Sequence, residues 1–100
     1  MAFFVVTFTH PNEDGWRKHV MPHVEYLQTL LTDGSLKASG PFVGSPDRSA
    51  MLIFSVPDRA TLDRLIAADP FAIEGLIEDM TVTEWDPIFG VFQGESSRRP

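Results

Sequence analysis

The sequence predicts an α+β fold: one antiparallel four-stranded sheet with two helices on one face. Three observations predict it. Apolar patterns of period two and period 3.6 alternate in the order strand, helix, strand, strand, helix, strand. The helical stretches are bounded by capping and breaking residues, such as Asp33-Gly34 and Pro57-Asp58. Two of the strand stretches are apolar on both faces, which calls for cover on both sides of the sheet.

The first strand is Ala2–Thr9, rich in β-branched and aromatic residues. Phe4, Val6 and Phe8 share one face, and Phe3, Val5, Thr7 and Thr9 share the other. His10 to Gly15 is polar and reads as a turn, followed by a short helical turn over Trp16 to Val20. Pro22 suits the first turn of a helix, where a missing N–H costs nothing, so the main helix is expected from Pro22 to Thr32. Val20, Val24, Leu27 and Leu31 supply its stripe, and Gly34 ends it.

Leu36 to Val43 is the second strand. Gly40-Pro41 distorts it and assigns it to an edge, because proline donates nothing to a ladder. After a Gly44–Asp47 turn, Ser49 to Val56 is apolar nearly throughout and reads as central. Asp58 caps a second helix whose buried side is Leu62, Leu65 and Ile66, ending near Ala68. Pro70 opens a helical turn, Phe71 to Glu74, closed by Gly75. Leu76 to Asp86 is the fourth strand. The order βαββαβ is the ferredoxin-like pattern. It leaves one sheet face bare, although the first and third strands are apolar on both sides. Packing against a second copy of the chain meets that need, so a homodimer is expected, with higher oligomers left open. Residues 1–90 are assigned to this domain and 91–100 to a flexible tail.

Composition narrows the function. The 100 residues carry a net charge of -6, and the one basic cluster is Arg98-Arg99 near the C-terminal end. Neither nucleic acid nor an anionic membrane surface suits that balance. With no cysteine, thiolate catalysis and cysteine-held zinc or iron–sulfur clusters drop out. No apolar run is long enough to cross a bilayer, Ala2–Thr9 reads as a strand and not as a secretory signal, and a cytoplasmic setting is expected.

Two ionisable residues stand at helix ends: His23, in Met21-Pro22-His23, and Asp69, in Ala68-Asp69-Pro70-Phe71. If the fold joins them, they form a minimal proton-moving unit. Each also has an ordinary reading: His23 as a core-margin histidine bonded to backbone, Asp69 as an N-cap for the turn after Pro70. Ser39-Gly40-Pro41 lies where the second strand breaks, so it either frees backbone groups for a ligand or simply ends the strand. Phe42 and Phe71 adjoin these positions as pocket-lining aromatics or as plain core. His19 and His23 are spaced i, i+4, with His10 as a chance third ligand. Without the glutamate of a metalloprotease motif, and with Pro22 between them, no metal is assigned.

Taken together, Pro22-His23 with Leu27, Gly34-Ser35-Leu36 leading into Ser39-Gly40-Pro41-Phe42, and Ala68-Asp69-Pro70-Phe71 resemble the YCII-related (YciI-like) family from Phe3 to about Trp85. The resemblance implies a dimeric α+β barrel built of ferredoxin-like units. It also implies a site around one histidine and one aspartate, which map to His23 and Asp69. Ser39, Gly40, Pro41, Phe42 and Phe71 are then expected to hold a small-molecule ligand, with no cofactor. One branch of the family is credited with removing hydrogen chloride from chlorinated hydroxyquinols, and related barrels include muconolactone isomerases and small monooxygenases. The expectation is cofactor-free acid–base chemistry, as an isomerase, dehydrochlorinase or other lyase, on a small hydroxylated or aromatic metabolite. The alternative is a non-catalytic ligand-binding or structural dimeric module. Trp16–Met21 and Pro87–Pro100 match nothing in the family pattern.

Overall fold

The computed structural model describes residues 1–96. Seven main elements follow one another: β1 (Ala2–His10), α1 (Glu13–Asp33), β2 (Leu36–Pro41), β3 (Arg48–Val56), α2 (Arg59–Ala67), α3 (Pro70–Ile73) and β4 (Glu78–Glu84). The sheet order is β2-β3-β1-β4, and each neighbouring pair is antiparallel. This is the ferredoxin-like α+β fold, with β2 at an edge and β3 and β1 at the centre.

Alternation along β1 divides the sheet. Phe4, Val6 and Phe8 face the helices and pack with Leu52, Phe54 and Val56 of β3, Leu30 of α1 and Leu62 of α2. Val6 and Leu62 are wholly buried, and a buried leucine contributes about 1.5–3 kcal/mol. On the opposite face lie Val5, Thr7, Met51, Ile53, Thr81 and Thr83, which no helix covers. Thr7 and Thr81 hydrogen-bond across this face.

Helix α1 corrects the reading of its first half. It runs unbroken through Pro22 for 21 residues, so Trp16–Val20 is not a separate turn. Asn12 is the N-cap, its side chain accepting from the Gly15 N–H, and Glu13 and Asp14 sit favourably in the first turn. Pro22 lies in the helix interior and removes one ladder bond. The caps at both ends and the packed face between them outweigh that loss. At the other end Gly34 takes φ 87°, a conformation open to glycine, and its N–H returns to the Leu31 carbonyl. Tyr26 donates its hydroxyl proton to the Leu65 carbonyl at 2.7 Å and ties α1 to α2. Burial is the main cause that pushes the Tyr26 hydroxyl pKa up, which keeps it a donor.

Strand β2 carries a bulge between Leu36 and Ala38. Leu36 pairs with Phe54 on the helix side, but beyond the bulge Ser39 pairs with Leu52 and Pro41 with Ala50. Ser39 and Pro41 therefore face the helices, whereas unbroken alternation from Leu36 would have turned Ala38 and Gly40 that way.

After β4 the chain folds back along the sheet. Phe92 stands 5.6 Å from Phe3, Trp85 stands 6.2 Å from it, and Lys37 pairs with Glu95 at 3.1 Å. These contacts bury Phe3, and they replace the loose tail expected from residue 91 as far as Ser96. Arg98 and Arg99 lie outside the described residues. No helix among the described residues is long and apolar enough to cross a membrane.

Candidate active site

Asp69 stands between α2 and α3 because the chain must turn there. Its side chain accepts the Phe71 N–H at 2.9 Å, and Pro70 occupies the first helical position behind it. The ordinary reading of Asp69 as a cap is thus correct. The carboxylate does more than cap: both of its oxygens lie 2.9 Å from Nδ1 of His23. Asp69 is only 4% exposed, and the His23 side chain is largely buried beside it.

An ionised carboxylate only accepts, so Nδ1 of His23 carries a proton, and in the neutral ring the lone pair is left on Nε2. The ring is held flat as well. It stacks on Phe71 with centroids 4.0 Å apart and planes at 17°. Asp69 and Phe71, both set by the α2–α3 turn, therefore fix tautomer and tilt together.

The sequence reading missed His10, which it placed in a loop. Alternation in β1 runs one step further than Thr9, and His10 follows Phe4, Val6 and Phe8 onto the helix side. It is 4% exposed, wedged between Phe8 and Phe71 with ring centroids 4.8 and 4.6 Å away. Its Nδ1 lies 3.1 Å from the Leu76 carbonyl. A carbonyl only accepts, so Nδ1 donates here too. Burial is the largest influence on His10 and holds its pKa below the usual 6.5. The Leu76 bond and the Asp69 charge pull the other way, while the Arg48 charge, and any charge on His23, add to the lowering. Extending the two-residue period past Thr9 is the signal that would have found this residue.

Both histidines line a cavity of about 480 Å³ between α1 and the β2–β3 end of the sheet. Ser39, Gly40, Pro41, Phe42 and Phe71 line it too, so the fold gathers those expected site residues around one space, with Asp69 behind the His23 ring. Phe42 is 45% exposed, Ser39, Gly40 and Pro41 are exposed as well, and Phe71 is buried. Among the described residues no fully buried side-chain nitrogen or oxygen lacks a hydrogen-bond partner. His23 and His10 bond only through Nδ1, so each Nε2 stays open to the cavity.

Arg48 stands at the mouth of the cavity. It is the register partner of His10 on β3. Its guanidinium lies 3.7 Å over the Trp16 ring, and its Nε donates to Glu13 at 2.9 Å. These contacts tie the start of α1 to the sheet at the rim. His19 does not join the site; it faces Glu74 at 3.9 Å. Among the described residues no group of three or more His, Asp or Glu gathers as a metal site requires.

The family model for the YCII-related domain matches residues 1–86. In structure the chain is similar to 5-chloro-2-hydroxyhydroquinone dehydrochlorinase from Burkholderia phenoliruptrix AC1100 in complex with 2,5-dihydroxybenzoquinone. The TM-score is 0.72 at 20% identity, over 86% of this chain and 94% of that one. It is also similar to a muconolactone isomerase, with a TM-score of 0.66, 17% identity and coverage of 84% and 88%. An antibiotic biosynthesis monooxygenase aligns with a TM-score of 0.54, 21% identity and coverage of 84% and 96%. No curated protein matched the sequence.

Proposed function

This chain belongs to the YCII-related domain family, and on that footing we propose that it is a cofactor-free acid–base catalyst acting on a small planar hydroxylated or carbonyl compound. One observation carries the reading: His23 is locked by a buried aspartate and an aromatic plate, with Nε2 left open to a cavity. Nε2 of His23 takes a proton from the substrate or returns one. The Asp69 carboxylate holds the ring in the productive tautomer and offsets the charge that forms on it. Ser39, on the helix side beyond the bulge, and the backbone at Gly40 hold a substrate oxygen. Phe42 and Pro41 close the far wall. This chemistry suits isomerisation, enolisation or elimination.

The size of the cavity supports the substrate class, since small-molecule sites span roughly 300–1,000 Å³. The ligand of the Burkholderia dehydrochlorinase is likewise a planar oxygenated ring. The net charge of -6 argues against a nucleic-acid partner. The part of the sheet that no helix covers, around Val5, Thr7 and the exposed Met51, is the surface through which two copies associate as a homodimer.

A thermal-shift screen of hydroxylated aromatics, quinones and lactones, followed by product analysis, tests the reading. On a confirmed substrate, His23→Ala lowers turnover by about 10²–10⁴-fold, the usual worth of positioned proton transfer. Unchanged turnover in this variant would sink the assignment. Saturable binding with no product would leave a ligand-binding module instead.

A further inference from the structure

The cavity holds a second imidazole to which the proton-transfer reading gives no task. His10 comes from β1 and His23 from α1, and the two rings approach the same Phe71 side chain at 4.6 and 4.0 Å. Their Nδ1 atoms are committed to different partners. His23 bonds a carboxylate, which offsets a positive charge on the ring. His10 bonds a neutral backbone carbonyl, which fixes the tautomer but does much less for a charge.

The groups around His10 oppose its protonation on balance. Phe8 and Phe71 flank it and remove water. Arg48, its register partner, adds positive charge nearby, any charge on His23 would add to it, and only Asp69 and the Leu76 carbonyl pull the other way. A neutral imidazole with Nδ1 donating has one free function, a lone pair on Nε2. That atom accepts hydrogen bonds and cannot donate one.

From this geometry we infer that His10 is the residue that reads a substrate hydroxyl, its Nε2 accepting an O–H hydrogen bond in the cavity it shares with His23. The inference rests on the acid–base reading of the cavity and narrows its substrates to planar phenols and enols whose hydroxyl is protonated. An ether at that position offers no proton and leaves the Nε2 acceptor unpaired in a dehydrated wall. Sites built to bond a hydroxyl reject analogues lacking it far more strongly than apolar pockets reject a change of one methylene. No bond is made or broken by His10 in this role. It orients the ring so that His23 meets the carbon or oxygen that exchanges its proton.

Two measurements test this. The first is the tautomer of His10 in the wild-type protein at neutral pH, read from ¹⁵N–¹H long-range couplings. The expected pattern is Nδ1–H with an unprotonated Nε2, and an Nε2–H or doubly protonated ring would overturn the inference without any ligand.

The second compares binding of catechol and 1,2-dimethoxybenzene by ligand-observed and protein-observed NMR. Wild type is expected to prefer catechol by about tenfold or more, a factor set by one unpaired buried acceptor. In His10→Asn the amide keeps a donor for the Leu76 carbonyl but removes the Nε2 acceptor, and the preference is expected to fall to about twofold. His23→Gln is expected to keep the preference. Full preference retained in a folded His10→Asn protein overturns the hydroxyl-reading role while leaving the acid–base reading intact. Failure of catechol to bind wild type removes the substrate class on which both readings rest.

Discussion

Replacing Asp69 by Asn tests the site at its tightest point. Oδ1 of Asp69 lies 2.9 Å from both the Phe71 N–H and Nδ1 of His23, and Oδ2 lies 2.9 Å from the same Nδ1. An asparagine that keeps its oxygen on the Phe71 N–H must turn its NH₂ toward His23. Two donors cannot face each other at that distance, so the imidazole moves its proton to Nε2 and offers its lone pair at Nδ1. The cavity then meets an N–H where it met a base. A loss of about 10²–10⁴-fold in kcat follows, equivalent to about 3–5 kcal/mol at 1.36 kcal/mol per decade. The N-cap bond survives, so the stability loss stays below about 2 kcal/mol, the upper end for losing such a cap outright. The assay pairs steady-state turnover on a substrate from the screen with the ¹⁵N tautomer pattern of His23 and a urea melt. A D69N protein with wild-type turnover and His23 still protonated at Nδ1 would refute the reasoning. So would one whose activity falls only because it unfolds.

Three further outcomes are expected. Because His10 has a folded pKa below its unfolded value near 6.5, the unfolded chain takes up that proton first as pH falls. Its contribution to stability is therefore level above pH 6.5 and declines from there toward the folded pKa. Urea midpoints measured between pH 7.5 and 5 will show a drop in wild type that is smaller in His10→Asn. Asn12→Ala removes the acceptor for the Gly15 N–H and is expected to cost about 1 kcal/mol in urea denaturation, with site chemistry unchanged. A null effect would mean that α1 does not depend on a cap at Asn12. Met51→Arg places a charge on the bare sheet face, where Met51 is 36% exposed. Light scattering is expected to find wild type as a dimer and the variant shifted toward monomer, and a wild-type monomer at micromolar concentration would exclude the sheet-to-sheet association.

The element order, the edge position of β2, the central β3 and the capping roles of Asp58 and Asp69 were legible in the sequence, because each depends on neighbours within a few residues. Period-two and period-3.6 patterns report which side of an element is buried, and Gly and Pro report where it stops. The same local logic misread the start of α1. Pro22 has the chemistry of a first-turn residue, yet it sits mid-helix because the capped and packed helix outweighs one missing hydrogen bond.

What joined His23 to Asp69 was not local. They are 46 residues apart, and their spacing depends on how α1 lies across the α2–α3 turn. The family resemblance led to the expectation of the pair, but periodicity could not supply its 2.9 Å geometry. His10 turned on one more step of strand alternation, which the pairing of β1 as far as Arg48 makes plain. Ser39 turned on a single extra residue in β2. Reading inward from Leu36 puts Ala38 and Gly40 on the helix side, and the bulge reverses that and turns Ser39 and Pro41 there. The sequence by itself determined the strands, the helices and the residue types available to the site. Only the tertiary structure decided which of them share the cavity, because a one-residue change of register flips a strand face, and register is settled by the partner strand.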